Sequence, residues 1–163
     1  MFRWVSVEKL FFVLLAAIIA LLLMFFLHGP YIEEGSEKAV EQVLLERTGD
    51  ADEETVSAEG HRLFQVVQTE DTLEVWGIFS TGTCRKTGDG TEFQYEDVAA
   101  PAKMTFEKNG SEWALTEYAA PEDTGFNSAE LKAAFPFHLR VALLLSGFFE
   151  ADLEEQMQAY APA

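Results

Sequence analysis

The chain has 163 residues, 28 acidic side chains against 11 Lys plus Arg, and a formal net charge of −17 at pH 7. This excess argues against a nucleic acid partner, because binding the phosphate backbone requires a basic face. With a single cysteine, Cys84, no disulfide can form within the chain, so the fold must depend on its apolar core. We expect Cys84 to be a buried thiol without a catalytic role.

The longest apolar segment, residues 10–27, predicts a transmembrane helix. It reads LFFVLLAAIIALLLMFFL and contains no polar or charged side chain. A helix of this length covers ~27 Å, close to the ~30 Å hydrocarbon core of a bilayer. A cleaved signal peptide is the alternative, but residues 25–30 lack the A-x-A-like pair of small side chains that signal peptidase recognises. A buried helix of a soluble domain would carry a polar face, which this segment lacks.

The charges that flank this segment predict its orientation in the cell membrane. Arg3 and Lys9 precede it, whereas Glu33 and Glu34 follow it. Because basic flanks stay on the cytoplasmic side, the C-terminal part of the chain is expected to lie outside. The predicted division of the chain is 1–9 cytoplasmic, 10–27 transmembrane anchor, 28–34 juxtamembrane linker and 35–163 extracytoplasmic domain.

A first helix is predicted directly after the linker. Ser36 is a good N-cap, and Glu37 lies in the first turn, where the helix dipole favours an acidic side chain. Apolar side chains recur at steps of three and four residues from Ala39 to Leu44, which predicts one buried face. The following residues 50–59 read as a charged linker.

Two runs rich in β-branched and aromatic residues, 61–69 and 73–83, predict a hairpin. With residues 70–72 as the loop, Val67 would face Val75. A two-residue loop would instead place Val67 opposite Glu74, so we favour the longer loop. Both faces of this hairpin would then be apolar, which indicates central strands that are covered on each side.

Residues 93–100 predict a short strand that Pro101 stops, and a second hairpin follows. Residues 109–110 are Asn-Gly, the preferred pair for a type I′ turn. A two-residue loop at this pair would place Phe106 opposite Trp113, which predicts an apolar cross-strand contact.

Two helices are predicted after this hairpin. Asn127 and Glu130 form a capping box for a helix over residues 128–134. Pro136 then starts a last helix over residues 137–160, whose first half is apolar nearly all round. This half either packs in the core, which we favour, or offers an apolar patch to a partner. The candidate patch residues are Phe137, Val141, Leu144, Leu145, Phe148 and Phe149.

The segment 105–136 carries a recognisable pattern. It contains Thr105-Phe106-Glu107-Lys108 before an Asn-Gly turn, a strand ending in Glu117-Tyr118, Pro121 and Asp123 in a loop, and Phe135-Pro136 before the last helix. The pattern resembles the accessory extracytoplasmic domain of Firmicute membrane proteins related to BlaR/MecR-type metallopeptidases. The chain lacks their H-E-x-x-H zinc motif and the Ser-x-x-Lys signature of their sensor domains. The resemblance therefore implies an appended domain and no protease activity.

Motifs for several common chemistries are absent from the sequence. It has no G-x-S-x-G elbow, no phosphate-binding glycine loop, no dinucleotide fingerprint and no Cys/His cluster with metal spacing. We therefore predict no catalytic, cofactor-binding or metal-binding residues. We expect His61 and His138 to be surface or hydrogen-bonded side chains. The aromatic residues expected in the core are Trp76, Phe79, Phe106 and Trp113.

The predicted fold class is α+β. An antiparallel sheet of about four strands would be flanked by the first helix and the C-terminal helices, as in cystatin-like or nuclear-transport-factor-like domains. We expect a membrane-anchored, non-catalytic binding or regulatory module outside the cytoplasm, with another membrane protein or a small ligand as its partner. A small cell-surface hydrolase is the alternative, and it would place His61 or His138 beside a buried acid in a deep pocket. A structural subunit of a membrane complex is a second alternative, and it would expose an unbroken apolar surface on the last helix.

Overall fold

The computed structural model describes residues 11–17, 29–48, 55–87 and 90–160. Residues 11–17 are helical and exposed, and the rest of the predicted segment 10–27 lies outside the described residues. Within the described ranges, no helix is long and apolar enough to cross a membrane.

The described domain is α+β, as predicted, with a four-stranded antiparallel sheet in the order β1-β2-β3-β4. Each strand therefore pairs with the next strand along the chain. The elements are α1 (Glu34–Arg47), β1 (Thr55–Gln68), β2 (Thr72–Thr87), β3 (Gly90–Asn109), β4 (Glu112–Ala119), α2 (Ala129–Ala134), α3 (Phe137–Leu143), a 3₁₀ helix (Ser146–Phe149) and α4 (Glu150–Gln158).

Each face of the sheet carries its own apolar core. On one face, Leu44 of α1 packs with Phe79 and Phe106. On the other face, the C-terminal helices pack against Trp76 and Ile78. Burial of side chains of this size contributes ~1.5–3 kcal/mol each, so both layers stabilise the sheet. The prediction that this hairpin is covered on both sides is confirmed, but only β2 is a central strand, because β1 lies at the edge of the sheet.

Cys84 lies in a third, smaller cluster with Ala58 and Met157, where β1 and β2 meet α4. Its side chain is fully buried. Burial also raises the pKa of the Cys84 thiol, because it disfavours the charged thiolate. The prediction of a buried thiol is confirmed.

The β1–β2 hairpin has the register of a two-residue loop and not that of the predicted three-residue loop. The Thr69 N–H donates to the Thr72 carbonyl at 2.8 Å, and the Thr72 N–H donates to Thr69 Oγ1 at 3.0 Å. Val67 consequently faces Glu74 and not Val75. The predicted register is therefore wrong, because hydrogen bonds between two threonines close the turn one residue earlier.

A β-bulge in β1 keeps apolar side chains on both faces despite this register. Pairing shifts between Leu63 and Gln65, which leaves Phe64 as the extra residue. Leu63 packs with the α1 core, and Phe64 packs with the C-terminal helices. The bulge also marks the place where α3 crosses the strand.

Strands β1 and β3 are both longer than predicted. β1 begins at Thr55, so residues 55–59 belong to the sheet and not to a linker. β3 runs through Pro101, which pairs with Ile78. Pairing is irregular just before this proline, where Ala99 has a φ of 47°. Prolines are tolerated at such irregular places in a sheet, and Pro101 therefore does not stop the strand.

The β3–β4 hairpin turns at Gly110 and Ser111, one position later than predicted. Asn109 pairs with Glu112, and Phe106 faces Leu115 instead of Trp113. Gly110 has a φ of +67°, and Ala99 is the only described residue other than glycine with a positive φ. A glycine of positive φ followed by a residue of negative φ is typical of a type II′ turn.

The predicted helix caps are wrong at two sites. Ser36 lies inside α1, where its hydroxyl donates to Gln68 Oε1 at 3.0 Å. Ser128 caps α2 in place of Asn127, because Ser128 Oγ accepts the Leu131 N–H at 3.0 Å. A side chain at the N-cap satisfies one of the free N–H groups of the first turn.

The last predicted helix, 137–160, is broken into α3, the 3₁₀ helix and α4. The break begins where the Leu144 N–H donates to the Val141 carbonyl at 3.2 Å, a step of three residues that the Leu145 N–H repeats to the Ala142 carbonyl at 3.0 Å. Ser146 and Gly147 follow, and both residue types weaken a continuing α-helix. The break places α3 across β1 and lets α4 pack along the strand.

Candidate functional site

A polar cluster surrounds His61 at the edge strand β1. Glu59 and His61 are two residues apart, so their side chains lie on the same face. His61 Nδ1 lies 2.9 Å from Glu59 Oε2, and the Tyr160 hydroxyl donates to Glu59 Oε1 at 2.9 Å. The His61 backbone N–H donates to Gln156 Oε1 at 3.0 Å. The buried Glu59 carboxylate is thus held by one side chain from its own strand and one from the end of α4.

Three carboxylates act on the imidazole of His61. Burial alone would lower its pKa, but the hydrogen bond to Glu59 and the charges of Glu59, Glu37 and Glu41 raise the pKa above its usual value. His61 Nε2 lies 3.9 Å from Glu37 Oε1. Burial and the charge of Glu59 raise the pKa of Glu41. The cluster therefore favours a protonated imidazole among acidic side chains.

Tyr160 completes this cluster. Burial raises the pKa of its hydroxyl, and the charge of Glu59 and their hydrogen bond raise it further. Tyr160 therefore acts as a hydrogen-bond donor that holds Glu59, and its phenolate form is disfavoured.

The cluster borders a cleft of about 440 Å³ between α1, β1 and the end of α4. A carboxylate that orients a histidine can prepare it for general base catalysis. Among the described contacts, however, His61 Nε2 faces the carboxylate of Glu37 and no hydroxyl or thiol. The geometry provides an oriented imidazole, and the described contacts do not bring a nucleophile to it.

His138 lies away from this cluster. Its Nε2 lies 2.8 Å from Gln65 Oε1, a contact that ties α3 to β1. Both histidines are hydrogen-bonded, as predicted. In the part of the chain that the structure describes, no group of three or more His, Cys, Asp or Glu side chains could hold a metal ion.

A wide cleft of about 1020 Å³ lies between α1 and β4. Charged side chains of both signs line it, including Lys38, Glu46 and Arg47. The half-buried Trp113 lies at one side, with Lys108 Nζ 5.5 Å from its ring centroid. This mixture of charges gives the cleft no clear preference for one class of ligand.

An apolar groove of about 570 Å³ lies between β1 and α3. None of its lining residues is acidic, although the chain carries 28 acidic side chains. Gln65 and His138 are polar, and they hydrogen-bond to each other. The lining residues are Gly29, Pro30, Leu63, Phe64, Gln65, Val66, Phe137, His138, Leu139, Val141 and Ala142.

The six predicted patch residues differ in their exposure to solvent. Phe137 and Leu144 are 65% and 67% exposed, and Val141 and Leu145 are 36% and 37% exposed. Phe149 is instead a core residue, 7% exposed, and its ring lies 4.7 Å from the Arg62 guanidinium. Its assignment to the patch is therefore wrong. The side chain of Phe148 lies outside the described residues. Phe137 and Val141 line the groove, and Leu144 and Leu145 follow them along the chain without lining it. We call the exposed set Phe137, Val141, Leu144 and Leu145 the groove face.

Several residues of these sites were not predicted from the sequence. Gly29 and Pro30 were assigned to a linker, and Glu59 was assigned to a charged loop. One usable signal is that no acidic residue occurs between Glu130 and Glu150, which is unusual in so acidic a chain. The contacts of Glu59 with Tyr160 join distant parts of the chain, so no local pattern indicates them.

Comparisons with protein-family models, with curated proteins and with solved structures found no match. The resemblance to the accessory domain of BlaR/MecR-related membrane proteins therefore stays a prediction. The function of the chain must be argued from its own residues.

Proposed function

We propose that the chain is a membrane-anchored, non-catalytic module outside the cytoplasm, and that the apolar groove between β1 and α3 is its binding site. The observation that carries this proposal is the groove itself, whose lining has no acidic residue in a chain of net charge −17. Large exposed apolar patches on a soluble surface commonly mark interaction sites. The ligand class is therefore an apolar molecule or an apolar protein surface.

The anchor in this proposal is the apolar segment 10–27. Its length suits a bilayer, and the basic residues Arg3 and Lys9 precede it. Residues 11–17 are helical, which is consistent with a helical anchor. Gly29 lies two residues after the segment and lines the groove, so the anchor and the binding site are close along the chain.

Photocrosslinking in native membranes tests the binding site. A photoreactive amino acid replaces Phe137 on the groove face or, as a control, the exposed Gln94 on β3. We expect position 137 to form specific adducts that position 94 does not form. The masses of these adducts would distinguish a protein from a small molecule. Equal and weak crosslinking at both positions would contradict the proposal.

A small cell-surface hydrolase is the second candidate, and the contact between His61 and Glu59 favours it. The cleft beside them is open enough for a small substrate, at about 440 Å³. A hydrolase would cleave some member of a panel of chromogenic esters and amides, and His61→Gln would abolish that activity. His138→Gln is the matched control. Because His61 Nε2 faces Glu37, we expect no cleavage by the wild type.

A structural subunit would expose a long apolar surface on its last helix. The exposed residues of α4 are instead largely acidic and include Glu150, Asp152 and Glu154. Phe149 is buried in the core with Phe64 and Leu153. Among the described side chains of residues 137–160, the large exposed apolar ones are therefore confined to α3 and the two residues after it, which favours a limited binding site.

A further inference from the structure

We propose that the ligand of the apolar groove is the outer surface of the same bilayer that holds the anchor. The groove face would then rest among lipid headgroups and upper acyl chains. This inference rests on the proposed function, because it requires residues 10–27 to span the membrane. It extends that function by naming lipid as the ligand class of the same groove.

The start of the domain is fixed beside the groove. Gly29 has a φ of +65°, and a Cβ atom on it would lie 3.5 Å from the Leu63 carbonyl oxygen. Its backbone therefore packs directly on β1. Gly29 and Pro30 are also part of the groove lining. The chain therefore enters the domain at the rim of the groove.

The length of chain between the anchor and this point is short. Leu27 ends the apolar segment, and two residues span at most ~7 Å even when fully extended. The headgroup layer of each leaflet is ~5–8 Å thick, because a whole bilayer is ~40–45 Å thick around a ~30 Å hydrocarbon core. Gly29 must then lie within or at the edge of the headgroup layer. The groove rim lies there with it.

The side chains around this point suit an interface between water and lipid. Phe137 and Leu144 are 65% and 67% exposed, and Tyr31 is 87% exposed. Aromatic side chains are favoured at the headgroup level of membranes. An apolar face of this kind gains stability when it enters the boundary between headgroups and acyl chains.

Charge orients the same face toward the membrane. The α3 segment carries His138 and Arg140 and no acidic residue. The Arg140 guanidinium lies 5.5 Å from the Phe137 ring centroid, so a cation accompanies the exposed aromatic ring. The excess negative charge elsewhere in the domain would be repelled by anionic lipid. The groove face carries no acidic residue and can therefore approach such a surface without this repulsion.

A depth measurement on the full chain in lipid vesicles tests this inference. Leu144→Cys on the groove face and Gln94→Cys on β3 are each labelled with an environment-sensitive fluorophore. Gln94 pairs with Thr83 of β2, whereas Leu63 of the groove pairs with Gly77 of the same strand. Six residues separate Thr83 from Gly77, so position 94 lies ~20 Å from the groove. The buried native Cys84 leaves the wild type unlabelled. The vesicles contain phosphatidylcholine and phosphatidylglycerol, with bromine on the acyl chains of a fraction of the phosphatidylcholine.

We expect bromolipid to quench the probe at position 144 and to leave the probe at position 94 nearly unchanged. The probe at 144 should also show a blue-shifted emission that is reversed by Phe137→Ser together with Val141→Ser. Both changes are at exposed positions, and circular dichroism would check that the fold is retained. Equal quenching at the two positions would overturn the inference. Energy transfer between probes on two copies, without quenching by bromolipid, would also overturn it, because the groove face would then contact a second copy of the chain.

The proposed anchor is checked separately in the same vesicles. A chain that spans the bilayer stays with the vesicles after an alkaline carbonate wash. If it stays and the probe at position 144 is not quenched, lipid docking is wrong and the anchor stands. If the chain is washed off, the anchor is wrong and the inference that depends on it falls as well.

Discussion

His61 and Glu59 face each other on strand β1, with His61 Nδ1 2.9 Å from Glu59 Oε2. Both side chains are largely buried, at 11% and 4% side-chain exposure. The Tyr160 hydroxyl holds the second oxygen of the same carboxylate. The Tyr160–Glu59 bond ties the edge strand to the residues after α4. The strength of the His61–Glu59 contact depends on the charge of the imidazole.

The first prediction concerns pH and the free energy of unfolding. The pKa of His61 is raised in the folded protein, above the usual 6.5 that applies to the unfolded chain. The stabilisation from the charged imidazole is therefore fully present below pH 6.5, and it is lost as the pH rises through the folded pKa. Urea unfolding of the full chain in detergent micelles from pH 5 to 9 measures this loss.

The matched variants for this prediction are His61→Gln and His138→Gln. We expect His61→Gln to flatten the decline in stability above pH 6.5, because the group that loses its proton has been removed. His138→Gln should keep the decline of the wild type. An unchanged pH profile in His61→Gln would show that the imidazole does not bind an extra proton in the folded state.

The second prediction tests which residue caps α2. Ser128→Ala removes the acceptor of the Leu131 N–H and should lower the free energy of unfolding by ~1 kcal/mol. Asn127→Ala should have little effect, because Ser128 is the N-cap residue. Chemical denaturation of the two variants provides the comparison. A larger loss in Asn127→Ala than in Ser128→Ala would show that Asn127 is the N-cap, as predicted from the sequence.

The third prediction separates the core from the groove face. Phe149→Ala should destabilise the domain by ~3–5 kcal/mol, because this ring is buried among the C-terminal helices. Leu144→Ala should change stability by less than ~0.5 kcal/mol, because its side chain is mostly exposed. Similar losses in the two variants would mean that Phe149 and Leu144 share one environment.

The fourth prediction concerns the close approach of β1 to α4. A Cβ atom at Gly60 would lie 2.5 Å from the Leu153 carbonyl oxygen, so Gly60→Ala must push the helix away. We expect a loss of ~1–3 kcal/mol, as for other overpacked sites. Gly35→Ala is the control, because no atom lies within 4 Å of its Cβ position. This variant should be neutral or more stable, since alanine favours a helix.

The sequence predicted the elements of the fold better than their registers. Runs rich in β-branched and aromatic residues indicated the strands, and apolar side chains on both faces of the first hairpin indicated a sheet covered by two layers. The register depended on the hydrogen bonds between Thr69 and Thr72 and on the bulge at Phe64. The predicted register allowed for no bulge, whereas the bulge at Phe64, four residues before the end of β1, restores apolar side chains to both faces.

The candidate sites were harder to predict for a related reason. Phe137 and Phe149 belong to one apolar run in the sequence, yet Phe137 is exposed on α3, whereas Phe149 lies after the break and is buried. Glu59 and Tyr160 are far apart in sequence, and no periodic pattern relates them. The acid-free stretch between Glu130 and Glu150 was visible in the sequence, but its meaning depends on the groove that α3 forms with β1.

The central claim is that an anchored domain lies outside the cytoplasm with its groove at the membrane. Labelling with a membrane-impermeant maleimide on intact cells tests this claim most directly, because the only native thiol, Cys84, is buried. Ser111→Cys places a thiol on the exposed β3–β4 turn, and Ser6→Cys places one before the anchor. The account predicts that position 111 is labelled in intact cells and that position 6 is labelled only after permeabilisation. Labelling of position 111 only after permeabilisation would contradict it.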